Sequence, residues 1–159
     1  MAIRNIIQNG DPVLHKTSRK VELFDDKLAQ VLDDMWETMR AENGCGLAAV
    51  QVGLLRRVCI VDTDDGKPVE LINPEIVSTR GIQEEQEGCL SSPGDYAITR
   101  RPMWVRVKAF DRRGKAFMVT GEGLKARAFC HEIDHLNGVL FREHVICELP
   151  AKNRNTKNS

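Results

Sequence analysis

The sequence predicts an α+β domain in which antiparallel sheets pack around one central helix. Three observations support this fold class. Apolar residues recur with helical spacing in residues 28–39 and again within 122–138, and short segments rich in Val and Ile lie between them, bounded by turn formers. Residues 1–149 are long enough for a single domain with a real core. Residues 150–159 are polar apart from Pro150 and Ala151, so we expect a disordered tail there.

The composition excludes several classes of protein. The 23 Lys and Arg residues balance 23 Asp and Glu residues, so no global field attracts nucleic acid or a membrane surface. No apolar run approaches the roughly 18 residues that a membrane span requires, and the N-terminus lacks the apolar core of a signal peptide. Five cysteines, an odd number, argue against a disulfide framework. We therefore expect a cytoplasmic protein with free cysteines.

The first predicted elements lie before residue 45. Asp11-Pro12 favours a turn followed by a short helical turn over residues 13–15. A long helix should then begin near Asp25 and end at Asn43-Gly44, where the glycine tolerates a left-handed backbone. Its apolar residues fall on one face, at offsets of 0, 3, 4, 7 and 11, and are Leu28, Val31, Leu32, Met35 and Met39.

The segments rich in Val and Ile in the middle of the chain predict strands. Two of them are separated by Asn73-Pro74, and a further two should form a hairpin around the charged turn at 111–114. The predicted strands are residues 57–62, 69–72, 75–78, 104–110 and 117–120.

Two segments, residues 44–53 and 88–94, are unusually low in bulk and rich in glycine. Small residues allow the backbone to approach a strand or a ligand closely. The first segment carries one polar residue among apolar ones, Gln51, which we place in a strand. The ordinary role of such a glutamine is to satisfy a backbone group.

The second helix carries the residues with the clearest chemistry. His131 and His135 are four residues apart, so both imidazoles project from one face and can reach a single metal ion. Glu132 is placed to handle the proton of a metal-bound water. Leu124 and Ala128 share the face of the histidines. We therefore predict that this stripe points inward and that the central metal-binding helix buries its metal.

A metal site of this kind needs a third protein ligand, and the chain offers two candidates to weigh. Phe141 occupies the position at which one class of metallopeptidase has its third histidine, so that arrangement loses its ligand here. Glu148 lies close to the expected tail, which makes it a poor ligand. Cys89 is favoured, because a thiolate binds divalent transition metals strongly and this cysteine lies in a glycine-flanked segment. The plain alternative for Cys89 is a buried thiol. One cysteine and two histidines leave a fourth position for water, as in catalytic sites.

Three segments of the sequence resemble, in the same order, the three motifs of the peptide deformylase family. Residues 11–14, Asp-Pro-Val-Leu, also resemble the N-terminal segment of that family, so the resemblance covers nearly the whole chain. The three segments are Gly44-x-Gly46-Leu47-Ala48-Ala49-x-Gln51, Glu87-Gly88-Cys89-Leu90-Ser91 and His131-Glu132-x-Asp134-His135.

The resemblance implies a metal-dependent hydrolase. Its metal ligands would be Cys89, His131 and His135, and its reaction would remove the formyl group from the N-terminal formyl-methionine of newly made polypeptides, with release of formate. Glu132 would carry the proton from water to the leaving amine nitrogen.

The resemblance also implies how the reacting group is stabilised. The Gln51 side-chain amide and the Leu90 backbone N–H would face the charge that develops on the formyl oxygen. Glu87 and Arg101 would form a supporting ion pair, which we expect to order the Cys89 loop.

Five further positions match residues that bind the substrate in the family. Gly46 and Gly88 would hold the peptide backbone as an added strand, and the methionine side chain would occupy a pocket lined by Cys45, Leu124 and Ala128.

The same resemblance implies one divalent transition metal, with Fe(II) expected in the cell, while Zn(II), Ni(II) and Co(II) also suit these ligands. The implied partners are formyl-methionyl nascent peptides, with the ribosome as a further candidate, and no nucleic-acid motif is present. A monomer is expected. Two alternatives stay open: a peptidase that uses the same metal and glutamate, and a protein whose metal only stabilises its core.

Overall fold

The computed structural model describes residues 2–149, so the predicted tail at 150–159 lies outside the described residues. Within that range, no helix is long and apolar enough to cross a membrane. Short 3-10 helices occupy Pro12–His15, Ala49–Val52 and Phe141–His144. The longer elements are α1 (Asp26–Ala41), β1 (Gly46–Ala48), β2 (Val58–Val61), β3 (Val69–Arg80), β4 (Gln83–Cys89), β5 (Ser92–Arg101), β6 (Trp104–Phe110), β7 (Ala116–Glu122), α2 (Leu124–Leu136) and β8 (Val145–Glu148).

The strands form two antiparallel sheets, which confirms the predicted α+β class. One sheet has the order β1-β2-β3-β6-β7, and the other has the order β4-β5-β8. Helix α2 is buried along most of its length, and Ala128, Phe129 and Leu136 contribute to the same core cluster as Cys59 of β2 and Val107 of β6. Because α2 packs against the larger sheet, the histidines that it carries lie inside the molecule.

Helix α1 has the predicted bounds and the predicted apolar face. Four residues of the stripe are almost completely buried, and Val31 is partly buried. The prediction that Gly44 takes the left-handed conformation after the helix was wrong. Asn43 takes the left-handed conformation, with φ 56°, while the Gly44 N–H donates to the Met39 carbonyl and the Asn43 N–H donates to the Arg40 carbonyl. This pair of bonds satisfies the last carbonyls of the helix.

The predicted split of β3 at Asn73-Pro74 was wrong, because the strand continues through it. Asn73 has φ 51°, and the pairing with β6 shifts between Ile72 and Glu75. The Asn73 side chain accepts from the Val21 N–H and donates to the Val21 carbonyl. A bulge therefore absorbs the irregular residues, since the side chain of Asn73 is held by the N-terminal segment.

The sequence did not indicate any of the three strands of the smaller sheet, β4, β5 and β8, while the predicted hairpin of β6 and β7 is confirmed. β4 contains the polar run at 83–87, and it pairs with β5 from Gln83 opposite Arg101 to Gly88 opposite Tyr96. Glu84 and Glu87 form ion pairs with arginines of β5, and Gln83 donates to the carbonyls of Pro102 and Gly123. This hairpin carries Cys89 to the face of α2.

Candidate metal centre and active site

Two elements bring the predicted metal ligands together. Cys89 is the last residue of β4, so it is held by a strand rather than by the loop that we expected. His131 and His135 lie one turn apart on α2. The ligand atoms of these three buried residues all lie within 4.8 Å of one another, and Cys89 Sγ is 3.3 Å from His135 Nε2.

The chemistry of this cluster fits a divalent transition metal. A thiol and two imidazoles are typical ligands for such ions, and three protein ligands leave one coordination position for water or substrate. The buried His131 Nε2 has no hydrogen-bond partner. A buried nitrogen without a partner is costly in a protein interior unless it binds an ion. The types of ligand and the unpartnered His131 Nε2 therefore both indicate a metal site.

Glu132 stands beside this cluster as a buried carboxylate without partners. Neither carboxylate oxygen has a hydrogen bond, and the residue is fully buried. Burial raises the pKa of the Glu132 carboxyl to about 7, although the neighbouring His131 lowers it. A Cβ atom on Gly46 would overlap Glu132 Oε2. The glycine of β1 is therefore required by the carboxylate itself, in addition to any contact with substrate.

Gln51 lies in the 3-10 helix Ala49–Val52, so its predicted place in a strand was wrong. Its Oε1 accepts from the Ala48 N–H at 3.0 Å. Its Nε2 donates to Ser91 Oγ at 3.0 Å and lies 3.5 Å from Cys89 Sγ. These contacts fix the amide so that its nitrogen faces the metal ligands.

Leu90 occupies the turn between β4 and β5, directly after Cys89, and is buried. Its side chain packs against Gly44, where an added Cβ would lie only 2.7 Å from Leu90 Cδ1. The two glycine-rich segments, residues 44–53 and 88–94, are thus in contact. The backbone around Cys89 is held against the segment that precedes β1.

Comparison with known proteins agrees with this geometry. A sequence profile of the polypeptide deformylase family matches residues 3–149. The chain is 53% identical to the peptide deformylase of Lachnoclostridium phytofermentans, over 91% of this chain and 90% of that protein. It is 52% identical to that of Acetivibrio thermocellus, over 92% and 85% respectively. The chain belongs to the peptide deformylase family.

Solved structures of peptide deformylases share the fold. The crystal structure of the Legionella pneumophila protein superimposes with a TM-score of 0.88 at 46% identity, and covers 91% of this chain and 86% of that one. The Thermotoga maritima protein also gives 0.88, at 40% identity, over 91% and 99%. Both sheets and both helices therefore belong to an arrangement common to the peptide deformylase family.

A cavity of about 440 Å³ is lined in part by residues that lie close in the chain to residues of the site, since Cys45 precedes Gly46 and Arg127 lies one turn before His131 on α2. Of the three residues predicted to line a methionine pocket, Cys45 and Leu124 line this cavity, and Ala128 is not among its lining residues. Leu124 is 54% exposed, so the expectation that it points inward with the histidines was wrong. The remaining lining residues are Gln83, Glu85, Gln86, Met103, Gly123 and Arg127.

Two strands near this cavity lie at the ends of their sheets. Among residues 2–149, β1 and β4 each pair on one side only. Gly46 begins β1, and Gly88 lies near the end of β4. Both predicted glycines are therefore on backbone that can accept a further strand.

The predicted ion pair between Glu87 and Arg101 is present and buried. Arg101 Nη2 donates to Glu87 Oε2 at 2.7 Å, and His131 Nδ1 lies 2.6 Å from the same oxygen. Burial alone would raise the pKa of Glu87, but His131 and Arg101 hold that pKa well below its usual range. The pair therefore fixes the orientation of a metal ligand, as carboxylates beside metal-bound histidines commonly do.

Sequence reasoning missed three members of this network. Arg127 Nη1 donates to Glu87 Oε1 at 2.8 Å, Thr99 Oγ1 donates to the same oxygen at 2.7 Å, and Asp134 pairs with Arg101 at 2.6 Å. The spacing of four residues between Arg127 and His131 was a usable signal. Nothing in the sequence pointed to Thr99, because β5 itself was not predicted.

Proposed function

We propose that this peptide deformylase removes the N-formyl group from the N-terminal formyl-methionine of newly made polypeptides through the residues described above. Membership of the family, at about half identity over most of the chain, makes the protein a hydrolase of this kind. The observation that carries the mechanism is the buried, unpartnered carboxylate of Glu132 directly beside Cys89, His131 and His135.

The three clustered residues would hold one divalent transition metal. Fe(II) is our proposal for the cell, while Zn(II), Ni(II) and Co(II) suit the same set of one thiolate and two imidazoles. When bound, the metal supplies Lewis acidity, which lowers the pKa of a water molecule and polarises the formyl oxygen.

Glu132 carries the proton in this scheme. Its carboxylate accepts a proton from the attacking water and delivers it to the amine nitrogen as the C–N bond of the formamide breaks, so that formate leaves. Burial without a hydrogen-bond partner raises the pKa of this carboxyl, which makes the carboxylate a better proton acceptor than an exposed one. Gly46 provides the space in which that carboxylate sits.

Two donors face the oxygen on which negative charge develops. The Gln51 Nε2 is already oriented by the bonds of its amide group to Ala48 and Ser91, and the Leu90 backbone N–H is the second proposed donor. Since such donors need no rearrangement during the reaction, loss of one typically lowers turnover about 100-fold or more.

The substrate would lie as an extended strand between β1 and β4. Main-chain hydrogen bonds at Gly46 and Gly88 would give affinity with little demand on sequence, while the methionine side chain enters the cavity beside Cys45 and Leu124. This mode suits a monomer that meets formyl-methionyl nascent chains in the cytoplasm, with the ribosome as a candidate partner.

The test is release of formate from formyl-Met-Ala-Ser by metal-replete protein. We expect release by the wild type and its loss in Glu132→Ala, with the metal content unchanged. Cleavage at an internal peptide bond would favour a peptidase instead. A metal-replete protein that releases no formate would leave the metal with a structural role only.

The identity of the metal is a separate measurement. Protein purified under anaerobic conditions should contain iron and show its highest turnover in that form. Equal turnover of the zinc-loaded protein would contradict the choice of Fe(II).

A further inference from the structure

Arg127 contacts both the metal-supporting network and the cavity. It lies on α2, one turn before His131, so the two side chains share a face of the helix. Its Nη1 donates to Glu87 Oε1 at 2.8 Å and also contacts the Thr99 hydroxyl. The same side chain forms part of the wall of the 440 Å³ cavity.

Two consecutive contacts join the cavity wall to a metal ligand. Arg127 holds one oxygen of the Glu87 carboxylate, and His131 Nδ1 lies 2.6 Å from the other oxygen. Arg101 also binds Glu87 but does not line the cavity. Among the described residues, Arg127 is therefore the contact of Glu87 that an occupant of the cavity can touch.

The burial of Arg127 calls for a function beyond packing. A guanidinium loses much of its hydration when only 2% of the residue is exposed, and the Arg127 Nε has no hydrogen-bond partner. Glu87 already receives hydrogen bonds from Arg101 and Thr99. An apolar residue would line a methionine pocket without the desolvation of a cation.

On the basis of the proposed function, we propose that Arg127 is a positioning residue that couples occupation of the cavity to the orientation of His131 through Glu87. A side chain in the cavity packs against the guanidinium and restricts its motion. The guanidinium then holds Glu87, and Glu87 holds His131 with Nε2 directed at the metal. Because the coupling of two binding affinities is reciprocal, bound peptide would tighten metal binding by the same factor by which bound metal tightens peptide binding. We expect the tighter metal binding to appear as slower metal release.

The experiment measures transfer of zinc from zinc-loaded protein to a chelator, with and without saturating product peptide Met-Ala-Ser. We expect the peptide to slow transfer from the wild type about 5-fold or more, within the usual range of such couplings. Arg127→Met should release zinc about 10- to 100-fold faster, and the peptide should no longer slow the release. Arg127→Lys, which keeps the cation without the fork of donors, should restore part of both effects.

Arg101→Met is the matched control, because it removes a second guanidinium from the same carboxylate without changing the cavity wall. It should speed zinc release but keep the effect of the peptide. Arg101→Lys and thermal unfolding of each variant guard against a simple loss of fold. Arg112→Met, which breaks ion pairs with Asp33 of α1 and Glu70 of β3, should leave zinc release and the peptide effect unchanged.

The outcomes separate this inference from the proposed function. If the peptide has no effect on the wild type, or the same effect on Arg127→Met, the coupling is wrong. If Arg101→Met abolishes the peptide effect equally, the coupling belongs to Glu87 and Arg127 has no distinct role. Failure of the wild type to release formate would instead contradict the proposed function, whatever the zinc measurements give.

Discussion

The two helices bury their side chains for different purposes. Helix α1 places one apolar face against the sheet and leaves its opposite face to solvent. Helix α2 is buried on nearly every side, and the buried set includes both histidines, Glu132 and Arg127. One helix therefore serves mainly to cover the core, while the other passes through it and carries polar groups to its interior.

Each helix contains one buried carboxylate that shows this contrast. Asp34 of α1 accepts from the Ala2 N–H, from Arg4 and from Gln30 at 2.7–3.0 Å, whereas Glu132 of α2 accepts no hydrogen bond. Burial raises the pKa of Glu132 to about 7. Burial also acts to raise the pKa of Asp34, but its hydrogen bonds hold that pKa below 3.8. The hydrogen-bonded carboxylate of Asp34 therefore stabilises the fold, whereas the unpartnered carboxylate of Glu132 remains available to take up a proton.

The largest expected difference between these carboxylates is in catalysis. Glu132→Gln keeps the shape of the side chain but cannot accept the proton, so turnover of formyl-Met-Ala-Ser should fall by about 100- to 10,000-fold. Asp34→Asn should keep turnover close to that of the wild type. Formate release at equal metal content measures both, and a large loss in Asp34→Asn would remove the distinction between the helices.

The next largest effect concerns stability. Leu32→Ala removes a fully buried side chain from the apolar face of α1 and should lower the free energy of unfolding by about 2–5 kcal/mol. Urea unfolding gives that value. Turnover per folded molecule should not change, because α1 supplies no group to the site; a fall in turnover with intact metal would show that α1 shapes the site after all.

The hydrogen bonds of Asp34 should appear as a dependence of stability on pH. A carboxyl with a lowered pKa in the folded protein stabilises it above the unfolded value, near 3.8, and this stabilisation is lost as pH falls through the folded value. Urea midpoints from pH 5 to pH 2.5 should therefore fall less steeply in Asp34→Asn than in the wild type, with the difference developing below about pH 4. Parallel curves would mean that Asp34 contributes nothing to acid unfolding.

The smallest expected effect lies at the start of α1. The Asp25 carboxylate caps the helix by accepting from the Leu28 N–H at 3.1 Å, whereas α2 begins after Gly123 without a side-chain cap. Asp25→Ala should cost about 1 kcal/mol, or a few degrees in Tm. Asp26→Ala, next to the cap, is the control and should change Tm less.

The contrast between the helices also explains what could be predicted from the sequence. The stripe of α1 follows the helical period because one face meets the core, so both its existence and its bounds were predictable. The histidines of α2 were predictable as a pair. Leu124 was not, because a helix that is buried almost throughout gives no clear direction to its first turn, and this residue lies at the mouth of a cavity.

The elements that the sequence did not predict depend on distant contacts. β4 and β5 carry charged residues such as Glu84 and Arg100, which pair across the hairpin at 2.8 Å, so their pattern is not that of an apolar strand. Asn73 is held by Val21, 52 residues away in the chain. The local sequence contains neither partner, and the β3 bulge and the β4–β5 hairpin therefore became visible only in the folded chain.

The edge of β4 that pairs with no other described strand bears on whether this protein self-associates. An exposed strand edge is a template on which a second copy can pair, which is a common start of aggregation. Glu84 and Glu85 of β4 are exposed, whereas Glu87 is buried in ion pairs, so two copies of this edge would bring exposed carboxylates together. A neutral peptide backbone meets no such repulsion. The edge of β4 can therefore remain available for a peptide substrate while charge repulsion disfavours its pairing with a second copy of the same strand.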